Sequence, residues 1–142
     1  MMRRLILFFV FFTIFAWVFP SYAEIVVIVN RDNEISKLEK NQVIDLYMGR
    51  YIIFPNGIPA LPVDQPVNSK IREEFYEKLT GKSVAQINAY WARLIFSGRA
   101  SPPRIMPDAK ATIRVVRENR DAIAYIEKKY VDDTVKVVYS FD

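Results

Sequence analysis

The residues whose types and spacing best suit chemistry lie between Pro62 and Phe75, in the stretch Pro-Val-Asp-Gln-Pro-Val-Asn-Ser-Lys-Ile-Arg-Glu-Glu-Phe. A short apolar run, Ile58 to Val63, ends in Asp64, and a polar turn with Pro66 and Asn68 follows. A helical pattern then begins, with Ile71, Phe75 and Leu79 spaced four apart on one face. A helix start leaves several backbone N–H groups without intrahelical partners. With the positive end of the helix dipole, those donors suit an anion. Ser69 can cap the helix or turn its hydroxyl to a ligand, and Arg72, one turn in, can place a guanidinium over the same spot. The same residues also fit a plainer reading, in which Asn68 or Ser69 only caps the helix and Arg72 is a solvated charge.

Other chemistries are excluded by composition. The chain has 142 residues with no cysteine and no histidine. That removes disulfides, thiol nucleophiles, the commonest general base and the commonest metal ligand. Catalysis would have to rest on carboxylates, Lys, Tyr or Ser, and no paired constellation of these is present, so no catalytic residue, metal or cofactor is expected.

The N-terminal segment reads as a targeting signal. Arg3 and Arg4 precede an apolar run from Leu5 to Phe19, Pro20 breaks it, and Ser21-Tyr22-Ala23 fits the small-x-small pattern of a signal peptidase site. The run is about fifteen residues, short of the roughly twenty that span a bilayer. Residues 1–23 are therefore expected to be a cleaved signal peptide, the alternative being an uncleaved membrane anchor, with 24–142 exported to the periplasm as one domain. Losing Arg3 and Arg4 lowers the formal charge from +4 to +2, too little for the basic stripe of a nucleic-acid binder.

Residues 24–142 read as an α/β domain. Glu24 to Asn30 is a continuous β-branched run bounded by polar residues, as in a strand buried on both faces. Ligands of open α/β sheets bind beyond the carboxyl ends of strands, which makes Asn30 a candidate contact, with an Asx turn as its other reading. Ser36 to Glu39 is a capping box opening a helix that Gly49 stops. Ile58 to Val63 is a second strand, an edge or crossover because of Pro59 and Pro62. Helices follow from Ser69 to Thr80 and, behind the capping box Ser83-Val84-Ala85-Gln86, through Trp91 to about Ser97. The loop from Arg99 to Arg104 is basic and stiffened by Pro102 and Pro103; Arg99 or Arg104 can fold over a ligand, or the loop is a plain connector. Asp108 caps a further helix, Ala122 to Ile126 is a strand, and Thr134 to Phe141 alternates with Val135, Val137, Tyr139 and Phe141 on one drier face.

The order of these motifs resembles one family. Val27-Ile28-Val29-Asn30, the helix Gln42 to Arg50, the turn Phe54-Pro55-Asn56-Gly57, Pro62-Val63-Asp64 followed by Ser69, Arg72 and Phe75, Tyr90-Trp91, Phe96-Ser97-Gly98 and Ala122-Ile123-Ala124-Tyr125-Ile126 are similar in sequence and order to the phosphate-binding components of ABC transporters. The resemblance implies a mixed sheet flanked by helices in an abbreviated periplasmic binding protein type 2 fold. It further implies a small oxyanion such as phosphate as ligand and a membrane transporter or sensor as partner, with Asp64 accepting a proton from a monohydrogen anion. Asn68-Ser69-Lys70 stands where phosphate binders carry Ser-Gly-Thr, and Ala124 where they carry Gly. A protein-interaction module that kept the fold and lost the ligand is the alternative reading. The candidate ligand-binding set is Asn30, Asp64, Ser69, Arg72 and Arg99.

Overall fold

The structure, a computed structural model, describes Trp17 and residues 23–141. The signal-peptide reading falls, apart from Trp17 and Ala23, outside the described residues. Among the described residues, five strands form one mixed sheet in the order β3-β2-β4-β1-β5, with four α-helices packed against it or one another. In chain order these are β1 (Ile25–Asn30), α1 (Lys40–Tyr47), β2 (Leu61–Asp64), α2 (Lys70–Thr80), α3 (Val84–Phe96), β3 (Arg104–Ile105), α4 (Ala109–Glu118), β4 (Ala122–Glu127) and β5 (Val135–Ser140). β2 runs parallel to both β3 and β4, whereas β1 runs antiparallel to both β4 and β5.

The unbroken apolar run of β1 follows from its place inside a sheet covered on both faces. Ile25, Val27 and Val29 join the larger core with side chains of α1, α2 and α3, including Leu46, Tyr47, Phe75, Leu79 and Ile87. Val26 and Ile28 face the opposite way, onto Val116 of α4 and Val63 of β2. All six residues of β1 are buried.

Four details depart from the sequence reading. The helix expected behind Ser36 begins only at Lys40, with Glu39 as its N-cap. The Leu38 amide is held instead by the Val138 carbonyl at 2.8 Å, which lays this segment along the open edge of β5. β2 begins three residues later than expected, at Leu61, and is interior rather than an edge. Pro62 is tolerated because β3 pairs only with Val63 and Asp64, so no ladder partner requires the missing N–H on that side. β3 itself, two residues at the end of the basic loop, is too short to leave a pattern. In β5, consecutive residues of β1, Val27 and Ile28, pair with Tyr139 and Val137, leaving Val138 as the extra residue of a bulge. Alternation shifts there: Val138 is buried and Val137 is exposed.

Gly49 closes α1 at φ +68°, and a Cβ there would stand 2.7 Å from Trp91 Cη2. Gly57, at φ +85°, has nothing within 4 Å. Gly49→Ala therefore combines left-handed backbone strain with a clash, an expected loss of about 2–4 kcal/mol. Gly57→Ala carries the strain alone, about 1–2 kcal/mol. Urea denaturation of the two variants measures the difference, and equal losses would show that the Trp91 contact is unimportant.

Candidate functional site

β2 delivers Asp64 to its end of the sheet, and strand alternation sets it on the opposite face from Val63. β4 presents Tyr125 beside it, stacked on Phe75 of α2 at 3.7 Å between ring centroids and 5° between planes. α2 contributes Arg72 and Tyr76, four apart and so on one helical face. The Asp64 carboxylate accepts from Arg72 Nε at 3.3 Å, Tyr76 Oη at 2.9 Å, the Gln65 amide at 2.8 Å, and Tyr125 Oη. Gln65 in turn donates through Nε2 to the Tyr125 carbonyl at 3.0 Å. Tyr47 of α1 lies under the cluster, its hydroxyl on the carbonyls of Val63 and Ile123. Asp64 and Arg72 are each only 4% exposed.

This arrangement is a buried charge pair with its donors built in. Burying a charge without partners costs several kcal/mol, so the four donors explain how a carboxylate persists at this depth. The phenols respond in kind. Burial first, and then the negative charge of Asp64, hold the hydroxyls of Tyr47, Tyr76 and Tyr125 protonated well above the ordinary tyrosine range.

One part of the pair is incomplete. Among the described residues, Arg72 Nη1 and Trp91 Nε1 are the buried side-chain nitrogens without an acceptor. The guanidinium carries charge and lies 5.1 Å from the Tyr76 ring centroid, a contact that supplements but does not replace a hydrogen bond. The start of α2 is likewise open. α3 and α4 are capped by the side chains of Ser83 and Asp108, and the Gln42 amide in α1 takes the Asn41 side chain at 3.0 Å. In α2 the Ser69 hydroxyl turns away to the Pro66 carbonyl at 2.7 Å and makes no cap. The first bond into the helix is from the Glu73 amide to the Ser69 carbonyl. The amides of Lys70, Ile71 and Arg72 are thus without acceptors among the described residues.

Of the five residues singled out in the sequence, Asp64 and Arg72 meet as an ion pair, and Ser69 stands at the N-cap of the helix that carries Arg72 with its hydroxyl on Pro66. Asn30 does not join them. Antiparallel pairing of β1 with β4 sends the carboxyl end of β1 the other way, so Asn30 sits level with Leu61 at the start of β2 rather than with Asp64 at its end. Three residues of strand separate those levels, roughly 10 Å. The Asn30 side chain donates to the carbonyls of Val116 and Arg117 and accepts from the Asp32 amide, closing the end of α4. Arg99 is exposed on the loop after α3, grouped with Tyr90, Arg93, Leu94 and Ser97. The residues missed in the sequence are Tyr76, Tyr125 and Gln65. The signal that existed was a tyrosine one turn beyond Arg72 on a buried face, whose hydroxyl needs a partner. Among the described residues no group of three acidic side chains could hold a metal ion, and no helix is long and apolar enough to cross a membrane.

The sheet and its helices have the fold of the substrate-binding proteins of phosphate ABC transporters, in an abbreviated form. No family model matches the sequence, and no curated protein matches it. Among solved structures, one similar chain is from Clostridium perfringens, assigned to phosphate ABC transport as a substrate-binding protein and solved with bound phosphate. It superposes with a TM-score of 0.65 at 23% identity, over 82% of this chain and 44% of that one. An ABC-type phosphate transport receptor from Vibrio cholerae also gives a TM-score of 0.65, at 18% identity over 82% and 45%. PstS from Borrelia burgdorferi gives 0.57 at 8% identity, over 82% and 46%. The chain spans less than half the length of these proteins, which are named for transport and binding rather than for catalysis.

Two outcomes test the cluster. Asp64→Ala strands the buried Arg72 charge and is expected to cost about 3–5 kcal/mol, most of it recovered in the double variant Asp64→Leu/Arg72→Met. A loss below about 1 kcal/mol in urea denaturation would contradict the assigned role. Tyrosines held protonated in the fold favour folding less as the unfolded chain begins to ionise. Their contribution is fully present below the ordinary tyrosine value of about 10 and is lost as pH rises from there through the raised folded values. Absorbance titration at alkaline pH should show late tyrosine ionisation coinciding with unfolding; smooth ionisation of every tyrosine near pH 10 in the folded protein would contradict it.

Proposed function

We propose that this chain is an exported, periplasmic solute-binding-like protein that recognises a small oxyanion, phosphate in the first instance, within an ABC transport or sensing system. The observation that carries this reading is the open start of α2 beside a buried guanidinium nitrogen without an acceptor. The amides of Lys70, Ile71 and Arg72 donate to the anion, the Ser69 hydroxyl rotates from Pro66 to join them, and Arg72 supplies charge. Asp64, already satisfied by four donors, orients Arg72 rather than gripping the ligand. Asn30 and Arg99 stand outside this set: Asn30 braces the far end of the sheet, and Arg99 belongs to the exposed loop after α3. The solved neighbours, named for phosphate, support the same class of ligand, and they give no support to the reading of an interaction module without a ligand. The signal-like residues 1–23 support export, and the neighbours' names, which cite ABC transport, support a membrane transporter as partner.

Isothermal titration with phosphate, sulfate and molybdate tests the proposal. Binding of at least one oxyanion at millimolar concentration or below is expected. Lys70→Pro removes one donating amide at the helix position where proline is tolerated, after Ser69 in extended conformation at ψ 141°. Relative to Lys70→Ala it should weaken binding roughly tenfold or more, the loss of one charge-assisted bond, without lowering stability. No heat with any of the three anions would reject the reading.

A further inference from the structure

Residues 78–107 contain Lys78, Lys82, Arg93, Arg99 and Arg104 and not one aspartate or glutamate, so this stretch more than accounts for the whole chain's formal charge of +4. Its centre is α3, of which only Ile87 and Trp91 are buried. At the end of α3, Phe96 is 96% exposed and Ile95 53%. The turn after α1 adjoins the middle of α3 and Ala100, just beyond the helix. Tyr90 Oη donates to the Met48 carbonyl at 2.6 Å, and the open side of Gly49 faces Trp91 and Ala100. That turn carries Arg50 with Tyr51 and Ile52, 61% and 71% exposed. Arg93 and Arg99 make no ion pair among the described residues.

Large apolar side chains grouped in water and rimmed by arginines without acidic partners mark an interaction surface, because covering the apolar area is favourable. We infer that the end of α3 and the turn after α1 form a docking surface for an anionic phospholipid membrane. Phe96, Ile95, Tyr51 and Ile52 enter the boundary between headgroups and acyl chains, while Arg93 and Arg99 engage lipid phosphates. The charge decides between occupants. A second copy would present the same positive face and be repelled, whereas an anionic lipid surface supplies charge at any spacing. Phe96 also protrudes with almost no cover from its own chain, which suits insertion into a fluid layer. This inference is independent of the oxyanion site, which lies at the start of α2.

The test is sedimentation of the full chain with phosphatidylglycerol vesicles and with phosphatidylcholine vesicles, read as the ratio of the two affinities. The ratio cancels nonspecific apolar binding by residues 1–23, and the variants cancel the contribution of Arg3 and Arg4. A preference for phosphatidylglycerol that falls with salt is expected. Arg93→Gln/Arg99→Gln should reduce that preference about 25-fold, roughly fivefold for each arginine, and Phe96→Ser should weaken binding to both lipids. All three positions are exposed, and hydrogen exchange should show protection of residues 95–99 by phosphatidylglycerol vesicles. An unchanged lipid preference in the arginine variant, or capture by an acidic protein without any vesicle preference, overturns the inference.

Discussion

A carboxylate cannot remain charged inside a protein unless the fold brings donors to it, and Asp64 imposes that demand on almost every element around it. β2 must end where β4 presents Tyr125, and α2 must enter at the height that delivers both Arg72 and Tyr76. α1 must pack close enough for Tyr47 to reach the carbonyls of the two strands. Replacing such a network with apolar side chains often costs little, so its presence is weak evidence of stability for its own sake. It does fix one register of α2 against the sheet, and hence the place where the first amides of the helix are left uncapped.

The long periodic elements were legible in the residues. Ser83 and Gln86 cap α3 reciprocally as their spacing predicts, and Gly81 ends α2 at φ 71°. The β-branched run from Glu24 to Asn30 announced a strand buried on both faces, and β1, Ile25–Asn30, is one. What escaped was set by partners distant in sequence. Strand direction is one case: nothing local to β1 says that it runs antiparallel to β4, and that alone moves Asn30 away from Asp64. The bulge at Val138 is another, since alternation in β5 reads cleanly until pairing with β1 interrupts it. The start of α1 is a third, because Leu38 is claimed by β5 before Ser36 can cap a helix.

Within the candidate site, the corner was visible and its interior was not. Asp64 and Arg72 could be placed together from a strand, a turn and a helical period, with Ser69 at the start of the helix. The tyrosines that surround the carboxylate could not, because their hydroxyls act across 12 and 61 residues of sequence. Their presence alters the division of labour: the carboxylate holds the arginine, while one guanidinium nitrogen and the first amides of α2 are without acceptors among the described residues. The chain spans less than half the length of its solved neighbours, and the basic end of α3 is a separate surface on the same scaffold.

The central claim is that the first turn of α2 and the Arg72 guanidinium receive an oxyanion together. A phosphate titration followed by ¹⁵N–¹H correlation spectra reads this most directly. The account predicts saturable shifts concentrated at the amides of Lys70, Ile71 and Arg72 and at the Arg72 side-chain N–H groups, all fitting one dissociation constant. Shifts confined to other segments, or none at the first turn of α2 under saturating phosphate, would contradict it.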